Sequence, residues 1–260
     1  MKSPKVREQQ VPMESVYPIT VPPDYQFIRT DLWYRFYSSV AYIFFAIVLG
    51  VGFFNIVCRH RITGKKNLKP LKKKGFITVA NHCHIFDTVL TGLALKPRSA
   101  WYASVQRNFE APYYRKMFRM LKGFPIPDGL FGIKQIIKPV SKAVNDGKIV
   151  HFFPEAELWH LYQGIDYFQR GAFYIAHYAN CPVVPMVHLF KPRTFFGKQI
   201  SKNILTIKTV IGEPIYPSNP VTEGNSVDLK SVQEMTMKAK EWMKQEMEKY
   251  HGKKGEQNQK

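Results

Sequence analysis

The sequence has 260 residues, of which 45% are hydrophobic, and this is enough to form the core of one large domain. Its 38 Lys and Arg residues outnumber 19 Asp and Glu residues, and the net charge of +19 indicates an anionic partner such as nucleic acid, anionic lipid headgroups or phosphorylated substrates. The scattered cysteines Cys58, Cys83 and Cys181 argue against a disulfide framework and lack the spacing of a metal site.

The first 57 residues divide into a polar lead and an apolar segment. Residues 1–30 contain five prolines, which predicts an extended, weakly ordered lead. From Ser38 to Val57 the chain carries no charge for twenty residues, and a helix of that length spans about 30 Å, the thickness of a bilayer's hydrocarbon core. Aromatic residues precede this segment and basic residues follow it: Trp33, Tyr34 and Tyr37, then Arg59, Arg61, Lys65 and Lys66.

We therefore predict a membrane anchor helix at residues 31–57. Two arrangements stay open, because the helix could span the bilayer or lie embedded in one leaflet. The stronger basic flank follows the apolar segment, and this bias places residues 58–260 in the cytoplasm.

Strands alternate with helices along residues 58–225. The expected strands are Val57–Thr63, Phe76–Ala80, Tyr102–Val105, Ile149–Phe153, Val183–Phe190 and Leu205–Ile211, and the expected helices are Thr88–Leu95, Tyr113–Lys122, Ile133–Asn145 and Gly171–Ala179. This alternation predicts an α/β domain with a mixed, largely parallel sheet flanked by helices.

Residues 226–260 are predicted to form an amphipathic helix, about Val227–Tyr250, and a basic tail. The apolar stripe of that helix predicts docking on the core, with a membrane surface as the alternative.

A histidine and an aspartate follow the second predicted strand. His82 comes directly after Phe76–Ala80, and Asp87 opens the next helix. On one continuous helix their side chains would point about 140° apart, so the pair can meet only if the loop folds the carboxylate back to the ring. A histidine whose far ring nitrogen is held by a carboxylate can take a proton from a hydroxyl near neutral pH.

Glu155 follows Pro154 at the end of another predicted strand. Its carboxylate is therefore expected at the carboxyl edge of the sheet, where open α/β sheets place their ligands. The histidines His151 and His188 lie within predicted strands and are interpreted as core or sheet-edge residues.

Together, the segment Asn81–Asp87 (NHCHIFD) and the segment Phe153–Ala156 (FPEA) resemble the glycerolipid acyltransferase family, of the lysophosphatidate acyltransferase type. The resemblance covers roughly residues 57–220 and implies a glycerophosphate-acyltransferase-like fold. It implies that His82 is the general base, with Asp87 orienting it. The implied acyl donor is an acyl-CoA or acyl carrier protein (ACP) thioester, attacked directly in a ternary complex, and no prosthetic group or metal is expected.

The resemblance also suggests the residues that bind substrate. Glu155 lies in the acceptor-binding motif, and Asn81 adjoins the base. The family's middle motif matches the segment Gly123–Gly129, but the arginine that helps to hold the substrate phosphate is missing, with Asp128 or Gly129 in its place. The nearest basic candidates are Lys122, Arg107 and Lys134, of which the lysines could bind phosphate only as point charges.

Two further residues differ from the family pattern. Ala156 stands where the family usually has Gly, and Ala tolerates most backbone conformations but not a positive φ. His84 stands where a small polar residue is usual and is interpreted as a neighbour that tunes or packs rather than as a second base.

The function implied by the resemblance is acylation of 1-acylglycerol 3-phosphate to phosphatidate, in phospholipid biosynthesis at an anionic membrane surface. The missing arginine keeps open another lysophospholipid or lipid alcohol as the acceptor. A non-catalytic relative that binds anionic lipid is a further alternative. Nucleic acid is not expected as a partner, because the apolar anchor argues against it and no binding motif is found. The sequence also lacks the Gly-x-Ser-x-Gly elbow, a P-loop and a dinucleotide-binding fingerprint.

Overall fold

The computed structural model describes residues 21–22, 24–128, 132–165, 167–195, 198–199, 205–221 and 226–252. The helices are α1 (Leu32–Phe45), α2 (Asp87–Leu95), α3 (Pro112–Met120), α4 (Gly132–Asn145), α5 (Gly171–Tyr178) and α6 (Leu229–His251). The strands are β1 (Arg61–Thr63), β2 (Phe76–Ala80), β3 (Ala100–Val105), β4 (Gly123–Ile126), β5 (Ile149–Phe152), β6 (Val183–Pro192), β7 (Thr194–Phe195), β8 (Lys198–Gln199) and β9 (Leu205–Ile211). A π-helix, Ala46–Val57, continues α1, and two 3₁₀ helices occupy Lys65–Leu71 and Gln106–Phe109.

Seven of the described strands form one sheet in the order β1-β9-β6-β2-β5-β3-β4. Their pairings are parallel except that of β6 with β9. The expectation of a mixed, largely parallel sheet flanked by helices is confirmed. Because β2, β3, β4, β5 and β6 all point the same way, their carboxyl ends lie along a single edge of the sheet.

Among the strands of the seven-stranded sheet, β1 and β4 differ most from the sequence prediction. Strand β1 begins only at Arg61, because the helix that starts at Leu32 continues through Val57. Strand β4 was not predicted, since four residues that include Pro125 are a weak strand signal. Pro125 is tolerated because β4 is the last strand of the sheet, and a proline at an edge can leave its missing N–H on the open side.

Helices cover both faces of the sheet. One face packs against α4, α5 and α6, through buried residues such as Val140, Phe173 and Met243. The other face packs against α2 and the residues that flank it. The apolar stripe of α6 docks on the core at Val232, Met235, Ala239, Met243 and Met247, so the first of the two alternatives for this helix is confirmed.

The helix Leu32–Val57 is, by length and composition, able to cross a membrane. One side of it packs along the domain. Near its start, the Tyr34 ring stacks on Trp101, and its hydroxyl donates to the carbonyl of Arg119 at 2.7 Å. In the middle, Leu93 packs directly on Gly50. Near its end, the rings of Phe54 and Phe86 meet edge to face at 5.5 Å.

The other side of this helix is exposed and apolar. Its large exposed side chains are Leu32, Trp33, Phe36, Tyr37, Val40, Ile43, Phe44, Ile47, Val48, Phe53 and Ile56. Trp33 is 80% exposed, and Ile56, near the other end, is 69% exposed. The domain therefore carries one continuous apolar ridge on its surface.

Candidate active site

The loop after β2 folds back on itself and brings His82 and Asp87 together. His82 Nδ1 lies 3.1 Å from Asp87 Oδ2. The same carboxylate oxygen accepts the backbone N–H groups of Cys83, at 2.7 Å, and His84, at 2.8 Å. Asp87 is the first residue of α2 and is completely buried. Three donors therefore converge on one oxygen, and they fix the loop around it.

This geometry determines which nitrogen of His82 can act as a base. A carboxylate oxygen can only accept, so the hydrogen on Nδ1 donates to Asp87 and the neutral ring presents its lone pair at Nε2. The His82 side chain is 22% exposed, and one of its faces stacks on Phe153, with ring centroids 4.0 Å apart. The ring is thus held from two directions while it keeps contact with solvent.

Asn81 holds the backbone on the other side of His82. Its Oδ1 accepts the N–H of His188 at 2.7 Å, and its Nδ2 donates to the His188 carbonyl at 3.0 Å. The carboxamide thereby extends the pairing of β2 with β6 beyond the Ala80–Met186 pair. Asn81 is only 1% exposed and its side chain positions the loop through these contacts with His188, while its expected contact with substrate stays a prediction.

The segment after β5 covers the same loop. Glu155 Oε1 accepts the backbone N–H of His82 at 3.3 Å. Further along, the N–H groups of Trp159 and Leu161 donate to the carbonyls of His82, at 3.0 Å, and Cys83, at 2.7 Å. Glu155 therefore lies beside the proposed base, at the carboxyl edge of the sheet, and helps to hold the loop in place.

Comparison with known proteins identifies the family. Residues 59–189, half of the chain, match the family model described as Acyltransferase. The chain belongs to the acyltransferase family. The resemblance seen in the sequence is confirmed at this level, and the matched segment contains the loop of His82 and Asp87.

One solved structure is also similar to this acyltransferase. It is the crystal structure of the 1-acyl-sn-glycerophosphate (LPA) acyltransferase PlsC from Thermotoga maritima, with 17% sequence identity and a TM-score of 0.49. The match covers 82% of this chain and 93% of that chain. A comparison with curated proteins finds no match.

The basic residues proposed to bind phosphate do not all lie at the edge where the acyltransferase holds His82. Arg107 follows β3 and Lys134 lies in the first turn of α4 after β4, so both are at that edge, and both are exposed. Lys122 precedes β4 and therefore lies at the opposite edge, where its Nζ donates to Ser99 Oγ. Because strand direction separates Lys122 from the site, the structure does not bring it to the substrate as expected.

Asp128 is one of the two residues that could stand in place of the family's arginine, and its backbone N–H donates to Gln106 Oε1 in the neighbouring loop at 3.1 Å. Gly129, the other residue at this place in the motif, lies outside the described residues.

Ala156 occupies a left-handed backbone conformation, with φ of +61°. This is the position where glycine is usual in the family, and a Cβ in that conformation costs about 1 kcal/mol. We predict that Ala156→Gly raises the free energy of unfolding by about 1 kcal/mol. Urea unfolding of both proteins measures the change. Ala143→Gly, in the interior of α4, is the matched control and is expected to lower stability; a loss of stability from both substitutions would contradict the prediction.

Buried histidines surround the site without taking part in it. His151 and His188 are both completely buried, as the sequence indicated, and His151 Nδ1 lies 2.6 Å from Thr78 Oγ1. His188 lies between two threonine hydroxyls, each 3.0 Å from a ring nitrogen, and the second hydroxyl, that of Thr209, also meets His60 Nε2 at 2.9 Å. Burial lowers the pKa of His188 and that of His60 to about 4.

These neutral histidines predict that stability depends on pH. Below about pH 6.5, His60 and His188 become protonated in the unfolded chain but stay neutral in the folded chain. The free energy of unfolding therefore falls as the pH drops from 6.5 toward 4. Each group contributes a loss on the order of 3 kcal/mol at the lower limit. Urea unfolding between pH 7.5 and 5 checks the slope. His60→Gln, whose amide can still reach Thr209, should show a shallower fall, and an unchanged slope would contradict the assignment.

Proposed function

We propose that this acyltransferase transfers a fatty acyl group from an acyl-CoA or acyl-ACP thioester to the hydroxyl of a lysophospholipid. The proposed acceptor is 1-acylglycerol 3-phosphate, and the product is phosphatidate. The observation that carries the proposal is the contact of His82 with Asp87, which leaves Nε2 of an accessible imidazole free to accept a proton.

In the proposed reaction, Nε2 of His82 removes the proton of the acceptor hydroxyl while that oxygen attacks the thioester carbonyl. The carbon–sulfur bond then breaks, and the proton passes from Nε2 to the departing thiolate, so the free thiol and the new ester are the products. Asp87 stabilises the imidazolium that exists between these two steps. General-base assistance of this kind accelerates a reaction by about 10²–10⁴.

The packing of the helix Leu32–Val57 supports attachment to one leaflet rather than a crossing of the bilayer. Its contacts with the domain extend from Tyr34 to Phe54, so too little of it projects from the domain to cross about 30 Å of hydrocarbon. The exposed apolar ridge would lie in the leaflet, parallel to the surface.

The loop of the proposed base adjoins this ridge. Ile85 is 66% exposed in the loop between His82 and Asp87, and Phe86 packs on the end of the helix Leu32–Val57. The proposed base would therefore face the interface where lysophospholipids reside.

The net charge of +19 supports binding to a membrane that contains anionic lipids, and the basic residues after the anchor favour its cytoplasmic face. The same charge suits acyl donors that are themselves anionic. No prosthetic group enters the proposed mechanism.

A different acceptor is the second candidate. The arginine with which the family holds the phosphate is missing, with Asp128 or Gly129 in its place, and a carboxylate of Asp128 there would repel a phosphate monoester. This observation favours a lysophospholipid without a terminal phosphate, or another lipid alcohol.

The test is acceptor-dependent release of free thiol. Purified protein in lipid vesicles is given acyl-CoA together with lysophosphatidate, lysophosphatidylcholine or monoacylglycerol. The proposal expects one thiol per ester formed, with the highest kcat/KM for lysophosphatidate. A higher kcat/KM for another acceptor would select the second candidate. Thiol release that no acceptor increases would contradict acyl transfer to lipids.

A further inference from the structure

The loop that carries the proposed base also presents a second imidazole. His84 lies two residues after His82, and its backbone N–H donates to the same oxygen of Asp87. Its ring stacks on Phe190 of β6, with centroids 5.5 Å apart, and on His160, with centroids 6.0 Å apart. His160 belongs to the segment that covers the His82 loop and is exposed. Two imidazoles thus lie side by side next to the proposed base.

Hydrogen bonding fixes which nitrogen of His84 can meet a ligand. His84 Nδ1 accepts the backbone N–H of Phe86 at 3.2 Å. A neutral ring that accepts at Nδ1 carries its hydrogen at Nε2. Burial lowers the pKa of His84, which favours this neutral form. Within the described part of the chain Nε2 has no hydrogen-bond partner, so its N–H is available as a donor.

The position of this pair differs from that of the basic residues considered above. Arg107 and Lys134 follow β3 and β4, which lie beyond β5 on one side of β2. His84 packs on β6, on the other side of β2. The cations nearby each make a hydrogen bond within the protein, since Lys191 Nζ donates to the Tyr250 carbonyl and Arg193 to the Val57 carbonyl. The N–H at Nε2 of His84 adds a donor for an anion on this side of β2.

We propose that His84 and His160 bind a phosphate group of a substrate beside His82. The two ring centroids lie 6.0 Å apart, with the ring planes inclined by 30°. At this separation the two imidazoles can reach two oxygens of one phosphate, since each hydrogen bond adds about 2.8 Å. The phosphate belongs either to the headgroup of the lipid acceptor or to coenzyme A. This inference rests on the proposed function. If the phosphate is that of the acceptor, His84 makes the contact that the missing arginine would make.

Two substitutions separate the ligand contact from the structural role of His84. His84→Asn keeps an acceptor near the position of Nδ1 for the Phe86 N–H but has no donor at the position of Nε2. His84→Gln places an amide N–H near the position of Nε2 and gives up the contact with Phe86. Binding of phosphate through Nε2 should therefore be lost in His84→Asn and largely kept in His84→Gln, whereas a purely structural role predicts the reverse order.

Binding is measured by titrating the full chain with glycerol 3-phosphate and with coenzyme A while the histidine ring resonances are recorded by NMR. The rings of His84 and His160 should shift, and those of the buried His151 and His188 should not. His84→Asn should weaken binding about tenfold. If the affinity for glycerol 3-phosphate falls, the phosphate is that of the acceptor; if the affinity for coenzyme A falls, it is that of the donor. Unchanged affinity for both ligands would overturn the proposal.

Kinetics give an independent readout. His84→Asn should raise the KM for lysophosphatidate relative to that for monoacylglycerol about tenfold. A rise caused instead by Arg107→Gln, with none from His84→Asn, would place the phosphate beside β3 and overturn the proposal. If the wild type shows no acceptor-dependent thiol release, the proposed function fails, and the NMR titration still decides whether the histidine pair binds phosphate.

Discussion

His82→Ala is expected to lower kcat for acyl transfer by about a thousandfold or more, measured as acceptor-dependent release of thiol at saturating acyl-CoA. The substitution removes Nε2, which is the base in the proposed reaction. His84 accepts a hydrogen bond at Nδ1 and therefore carries its hydrogen at Nε2, and His151 and His188 are completely buried. The alanine would also leave the face of Phe153 uncovered, where the imidazole now stacks at 4.0 Å. The KM values for both substrates should change by only a few-fold.

His82→Asn is the control for the loss of structural contacts. Its amide N–H₂ lies near the position of Nδ1 and can still donate to Asp87, but the side chain has no basic nitrogen. It should be as inactive as His82→Ala while its thermal unfolding stays close to that of the wild type. If either variant keeps more than a tenth of the wild-type kcat, His82 is not the base, and the proposed mechanism is wrong.

Several regular elements of this protein could be predicted from the local sequence pattern alone. Strand β9, Leu205–Ile211, has the predicted bounds, and so does β2, whose five residues are all buried. The order of the strands could not be predicted in this way. Strand β2 lies between β5 and β6, and neither of these is its neighbour in sequence, so the pairing depends on crossovers that local patterns do not encode.

In the candidate site, too, contacts within one loop could be predicted from the sequence, whereas contacts between distant segments could not. His82 and Asp87 could be predicted to meet because one short loop joins them, and only the direction of that loop had to be inferred. The burial of Asn81 depends on β6, which is more than a hundred residues away in sequence. The distance of Lys122 from the site follows from the direction of β4, a strand that the sequence did not reveal.

The helix Leu32–Val57 illustrates a further limit. Its composition predicts contact with a membrane. The composition does not reveal that one side of the helix packs against the domain. That information lies in single contacts such as the packing of Leu93 on Gly50, where any larger side chain would clash. Sequence alone therefore left spanning and one-leaflet attachment open, and the packing of the helix is what favours the second.

Asp87→Asn is expected to lower kcat by about a hundredfold or more. The two backbone N–H groups that converge on Oδ2 require an acceptor there, so the amide oxygen of the asparagine should take that position. His82 Nδ1 can then still donate to it, and the ring keeps its orientation. The imidazolium formed during the reaction, however, faces a neutral amide instead of a carboxylate, and the charge that stabilised it is lost.

The same substitution should also lower the free energy of unfolding by about 1–3 kcal/mol. Oδ1 of Asp87 is buried and has no hydrogen-bond partner among the described residues, so the amide N–H₂ that takes its place would be a buried donor without an acceptor. Asp146→Asn, on an exposed aspartate that pairs with Lys142, is the matched control and should leave kcat unchanged. A kcat for Asp87→Asn within threefold of the wild type would show that the carboxylate only shapes the loop, and the His82–Asp87 pair would then have to be abandoned as the source of catalysis.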